Sequence, residues 1–369
     1  MSKNVLIIYA SAGMGHTTAG RAVASAMETH GDVTIRLVDI LDHTPSLWQK
    51  ILREGYHYVS SQKPKIWDWF YSHYNNSENQ NTLNVLARLA VKETFRREVE
   101  AFKPDFTITT HPMPYKVFPS DSPFMRGKGQ ATVITDMGLH NYWLHEGVDH
   151  YFVAVQDVAD SLINQGVSPE RIVVSGIPIE KKFSKPVNRD ELLKNLGLSV
   201  ERPIVLIVGG QLGFLELKKI VQDIVGRHED AQLLIVAGRD KELQTAIEQS
   251  TLGGMEQVKT FGFVDNMEEL MSIADVMFSK AGGLTVSEAL AKGVPLVINK
   301  VIPGQEEDNV NFLVKHNAAV RVNDATAVGQ AVIELLDDPD RLSQMQAASK
   351  RLGKPDAAQT IADFVYAKL

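Results

Sequence analysis

At 369 residues, with 44% hydrophobic and 22% charged side chains, the chain is too long for one comfortable core and reads as two globular domains. The absence of cysteine excludes disulfides and thiolate-held zinc and points to a reducing cytosol, and no apolar run is long enough to span a bilayer. A net charge of −7 argues against nonspecific nucleic-acid binding. The first 110 residues carry 12 Lys and Arg against 11 Asp and Glu, so the excess acid lies downstream and the N-terminal part is less repelled by anionic lipid than the whole.

The apolar run 5–10 predicts a central parallel strand. It is followed by the glycine loop Ser11-Ala-Gly-Met-Gly-His16 and an Ala-rich helix over 17–29. The loop lacks the third glycine of a dinucleotide fingerprint, so an NAD site is discounted; His16 stands at its mouth. A second strand over 33–40 closes the first βαβ unit. Residues 44–76 then gather Trp48, Tyr56, Tyr58, Trp67, Trp69, Phe70, Tyr71 and Tyr74 among Lys50, Arg53, Lys63 and Lys65. That composition suits a membrane interface or an apolar channel, with a satellite core as the plain alternative. Arg88, Lys92 and Arg96 follow at i, i+4, i+8, either a solvated helix face or a contact for lipid headgroups.

Strands over 105–110 and 131–135 end in His111-Pro112 and Asp136, at the carboxyl ends where open α/β sheets place ligands. The loop carrying His140, Trp143 and His145 is expected to line a cleft. Strands over 149–154 and 171–175 flank a helix over 158–164, and residues 176–186, with Gly, two Pro and three Lys, mark an interdomain crossing. The plan then restarts with a helix over 189–196, a strand over 204–208, the loop Gly209-Gly-Gln-Leu-Gly213 and a helix over 215–225. Strands near 233–237, 258–261, 276–278 and 294–298 alternate with helices, and further helices cover 309–315, 326–336, 341–349 and 356–369.

The stretch 276–309 concentrates the chemistry. A strand runs into Gly282-Gly283, which predicts a sharp turn, and a helix over 285–292 then leaves free N–H groups and a positive dipole end where a phosphate fits. Glu288 lies one turn further, placed to accept from a ribose. Pro303-Gly304 forces another turn that aims Gln305 and Glu306 at the same region, and an amide beside a carboxylate matches a sugar with several hydroxyls. No histidine pair has the HExxH spacing, so no metal is expected.

Taken together, Ser-Ala-Gly-Met-Gly-His16, Thr110-His-Pro112, Thr135-Asp136, Leu139-His140, Trp143, Gly176-Ile-Pro-Ile179, Lys280-Ala-Gly-Gly-Leu-Thr285 and Pro303-Gly-Gln-Glu-Glu307 resemble the diacylglycerol glycosyltransferases of family GT28, in order over nearly the whole chain. The resemblance implies a GT-B fold, two Rossmann-like doubly wound domains facing across a cleft. These would comprise an acceptor-binding domain over 1–182, a UDP-sugar domain over 183–354 and a C-terminal helix over 355–369 returning to the first. Many relatives have Pro where this chain has Ala281, which changes the rigidity of the turn and leaves the anion site.

The activity implied is inverting transfer of a hexose from UDP-glucose or UDP-galactose to diacylglycerol, without cofactor or metal, by a peripheral protein on the cytoplasmic face of the membrane. His16 would be the general base, with Asp136 orienting it. Gly210, Lys280, Gly282, Gly283, Leu284 and Thr285 would hold the diphosphate, Glu288 the ribose, Phe263 the uracil, and Gln305 and Glu306 the sugar; His111, His140 and Trp143 would line the acceptor side. The alternatives are a polyprenyl-linked or soluble acceptor, a nucleotide-sugar epimerase, and a regulator that binds the donor without turnover.

Overall fold

The computed structural model describes residues 3–11, 13–44, 93–117, 127–209, 212–299, 301 and 306–369. The chain divides into two compact units. The first comprises Met1–Lys181, Ile302–Asp308 and Lys354–Leu369, the second Lys182–Val301 and Asn309–Gly353.

The sheet of the first unit holds six parallel strands: β1 (Lys3–Tyr9), β2 (Val33–Asp39), β3 (Phe106–Thr109), β4 (Gly129–Val133), β5 (His150–Val153) and β6 (Ile172–Val174), in the order β2-β1-β3-β4-β5-β6. Alternation along β1 sends Val5 and Ile7 into one core and Leu6 and Ile8 into another, so both faces are covered, as the unbroken apolar run requires. One of these cores is completed by the helix Ala357–Lys368, whose Ala358, Ile361 and Val365 pack beside Val23 and Met27 of the helix Met14–Met27. Gly176, at φ +88°, turns the chain after β6; a side chain there would strike Lys354, which leads into that C-terminal helix.

In the second unit β7 (Ile204–Val208), β8 (Gln232–Val236), β9 (Val258–Phe261), β10 (Val276–Phe278), β11 (Leu296–Ile298) and β12 (Ala319–Arg321) form a parallel sheet in the order β12-β11-β10-β7-β8-β9. Each sheet reverses its winding once, at β1/β3 in the first and β7/β10 in the second, and doubly wound sheets open a ligand crevice at that switch point. Strands β7, β9 and β10 and the helix Arg189–Leu196 have the bounds expected from sequence.

Several boundaries move. The expected helix over 285–292 is Gly283–Lys292, with Gly282 as its N-cap at φ −64°. Gly282 is extended, at ψ 136°, and Gly283 is the first helical residue, so the chain enters the helix without a positive φ at either glycine. The Ala-rich helix likewise starts earlier than expected, at Met14, so that His16 lies within its first turn. Strand β12 was missed, since it is an edge strand with one buried residue and no unbroken apolar run marks it. Of the aromatic–basic stretch only Thr44 is described, and Arg88 and Lys92 also lie outside the described residues.

Candidate active site

In the first unit the pairing of β1 with β3 sets Ile8 opposite Thr109, so the loops that follow these strands emerge side by side. His16 and Thr110, 94 residues apart in sequence, thereby meet: the Thr110 carbonyl lies 2.7 Å from His16 Nδ1, and the Thr110 hydroxyl donates to the His16 carbonyl at 2.8 Å. A backbone carbonyl only accepts, so Nδ1 carries the proton and Nε2 the lone pair. Thr135, two residues past β4, adds its Oγ1 at 3.1 Å from the same Nδ1. The orienting bond expected from Asp136 is thus made by Thr110. Asp136 is buried one residue beyond Thr135 and is not among the hydrogen-bond partners of the ring.

Enclosure of the ring disfavours imidazolium and lowers its pKa to about 4, against the opposing pull of the Thr110 carbonyl. The position works in the same direction: His16 is the third residue of a helix whose first turn has no acidic residue, where the dipole repels a cation. His16 is therefore neutral through the physiological range.

The rings around it have distinct roles. His111 stands edge-on to His16 at 4.7 Å between centroids, and its Nδ1 accepts from the Met113 N–H at 3.1 Å. Trp143 is buried, 6.3 Å from His16 by centroid. His145 accepts from the Gly147 N–H and stacks on Tyr115, so it organises its own turn. His140 is buried and stacks on Tyr142, and burial lowers its pKa while Asp308, 3.9 Å away, opposes the shift. Asp308 fits there because residue 138 is glycine, where any side chain would collide with its carboxylate. Glu306, buried, belongs to the same 302–308 segment, which groups with the first unit. Gln305 lies outside the described residues.

In the second unit two helices begin at the switch point, and their N-termini differ. The helix Phe214–Arg227 is closed by its own first turn, Glu216 accepting from the Gly213 N–H at 3.0 Å. An anion there would meet a carboxylate. The helix Gly283–Lys292 has no side-chain cap and no acid in its first turn, so the N–H groups from Gly283 through Thr285 retain their donor capacity, with exposed Lys280 preceding them. Asn309, wholly buried, donates from Nδ2 to the Ala281 carbonyl at 2.9 Å and fixes the approach to this helix. Leu284 and Glu288 are half-buried on it. Phe263, after β9, is 61% exposed with the Arg239 guanidinium over its ring at 5.1 Å. Gly210 lies outside the described residues.

Sequence reasoning singled out neither Thr110, Asn309 nor Arg239 as a site residue. Thr110 was visible only as part of a motif, and the contact that defines each lies on a different loop. Among the described residues no three His, Asp or Glu side chains gather as a metal site, and no helix is long and apolar enough to cross a membrane.

Two doubly wound units of this kind are the GT-B architecture of glycosyltransferases. The structure of MurG from Acinetobacter baumannii shares it with a TM-score of 0.64 at 16% identity, over 99% of each chain. The monogalactosyldiacylglycerol (MGDG) synthase family model matches residues 16–179, and that of the glycosyltransferase family 28 C-terminal domain matches residues 204–361. A processive diacylglycerol beta-glucosyltransferase of Bacillus cereus (strain AH187) is 30% identical over 100% of this chain and 95% of its own length. That of Bacillus licheniformis is 29% identical over 98% and 94%. The chain belongs to the diacylglycerol glycosyltransferase family, and is an enzyme of the glycosyltransferase class.

Proposed function

We propose that the protein transfers a hexose from UDP-glucose or UDP-galactose to the hydroxyl of diacylglycerol, with inversion at the anomeric carbon. The observation that carries this is the contact of His16 Nδ1 with the Thr110 carbonyl, which can only accept and so keeps the proton on Nδ1 and leaves Nε2 as a base. The acceptor hydroxyl gives its proton to Nε2 as its oxygen attacks C1 of the sugar. The C1–O bond to the diphosphate breaks, and UDP leaves with the electron pair. The growing charge on UDP is met by the N–H groups from Gly283 through Thr285, by the helix dipole and by Lys280, the task a divalent metal performs in other transferases. In this reading Phe263 lies against uracil, Glu288 binds the ribose, and Gln305 and Glu306 bind the sugar hydroxyls. His111, His140 and Trp143 flank the acceptor, whose source is a membrane that the protein meets peripherally from the cytoplasmic side.

Support comes from the relatives, named as diacylglycerol glucosyltransferases over nearly their whole length. The test is release of UDP from each donor with diacylglycerol vesicles in EDTA, with product mass analysis. Glycosylated diacylglycerol from the wild type, and about a hundredfold less or lower still from His16→Ala, is the expected outcome. UDP-sugar binding without transfer to any lipid would identify a regulator instead, and conversion of the donor without acceptor an epimerase.

A further inference from the structure

Asn299 differs from every other buried polar residue among those described: both atoms of its carboxamide are buried and neither has a hydrogen-bond partner. The residue is 1% exposed, one step beyond Ile298, the last residue of β11. Leaving a buried donor and a buried acceptor both unmade is unfavourable, so the amide is suited to a polar partner in a ligand-bound state of the protein.

Its place in the sheet identifies that state. Phe278 of β10 pairs with Val297 of β11 on one side and Ile207 of β7 on the other. Strands β7, β10 and β11 end at Val208, Phe278 and Ile298, so Asn299 stands at the carboxyl edge of the sheet, one strand from the switch point. Val297, two residues earlier, packs in the core that also holds Leu217, Ile220 and Val332. The uncapped start of the helix Gly283–Lys292 follows directly from β10.

The chemistry narrows the partner. A diphosphate offers acceptors alone and would leave Oδ1 bare. The edge of uracil offers both a donor and an acceptor, but β11 is four strands from β9, after which Phe263 sits. At ~4.8 Å per strand that separation is roughly 19 Å. A hexose hydroxyl both accepts and donates, and it lies at the opposite end of a nucleotide sugar from the base.

We propose that Asn299 recognises the hexose of the donor: its NH2 donates to a hydroxyl oxygen while its C=O accepts from that hydroxyl or its neighbour. The contact forms only once the donor is in place. This rests on the reading of the second unit as a UDP-sugar site.

Calorimetric titration of the full chain with UDP, UDP-glucose and UDP-galactose, on wild type, Asn299→Leu and Asn299→Ser, separates the two claims. Both variants are expected to bind UDP within about twofold of wild type and to bind the preferred UDP-hexose about tenfold or more weakly. The serine variant, smaller than the residue it replaces, provides the result if the leucine variant does not fold. Unchanged UDP-hexose affinity in the folded variants overturns the proposal, and so does an equal loss for UDP and UDP-hexose. A wild type that binds no UDP overturns the reading beneath it.

Discussion

The crevices of the two units are built by the same device and filled with opposite chemistry. After β1 the helix Met14–Met27 brings an imidazole into its first turn, and the neighbouring strand supplies a carbonyl that fixes its proton. After β10 the helix Gly283–Lys292 brings no side chain to its own terminus, and a distant asparagine instead secures the backbone that leads into it. A doubly wound sheet provides the place, and whether a helix begins with a ring or with bare N–H groups decides whether that place handles protons or anions.

The largest effect should come from breaking the proton half alone. His16→Ala is expected to lower turnover about a hundred- to ten-thousandfold while UDP affinity stays unchanged, since general-base catalysis contributes on that scale. Comparable losses in both would show that the two units do not divide the work. Next comes the anion half. Asn309→Ala leaves the Ala281 carbonyl without its buried donor and is expected to destabilise the fold by about 1–3 kcal/mol. UDP affinity should fall with it, by roughly tenfold, in calorimetry at a temperature where the variant is folded. Unchanged UDP binding in a folded variant would detach Asn309 from the anion site. The smallest effect is at Thr110→Val, which removes the hydroxyl bond to the His16 carbonyl and keeps the carbonyl that fixes Nδ1. A stability loss of about 1 kcal/mol with turnover reduced only a few-fold is expected from denaturation and initial rates. A loss as large as that of His16→Ala would mean that the hydroxyl, and not the carbonyl, positions the ring.

Much of the frame was legible in the sequence, because buried parallel strands announce themselves as unbroken apolar runs: 204–208, 258–261 and 276–278 lie in the structure as read. The place of His16 was legible too, since a glycine loop after the first strand leaves few positions for it. What holds His16 was not, because the clamp depends on β1 lying next to β3 across 94 intervening residues, and on a backbone carbonyl that no residue type advertises. The Asn309–Ala281 bond, 28 residues apart, was hidden for the same reason. The helix from Gly283 started earlier than propensity indicated, since glycine disfavours a helix interior and is tolerated at its first positions. Asn299 sits in an apolar context that gave its amide no signal at all.

Whether His16 is a neutral base with its proton on Nδ1 can be read from the nitrogen-15 resonances of the imidazole across pH. Its folded pKa is lowered to about 4 from the 6.5 of a free imidazole, so the neutral form and the stability it contributes are fully present above 6.5 and are lost as pH falls through 4. A protonated Nδ1 and a bare Nε2 are expected at pH 7 and unchanged down to about pH 5, with kcat/KM carrying no inflection near 6.5 from this residue. A ring that is already imidazolium at pH 6, or that carries its proton on Nε2, would contradict it.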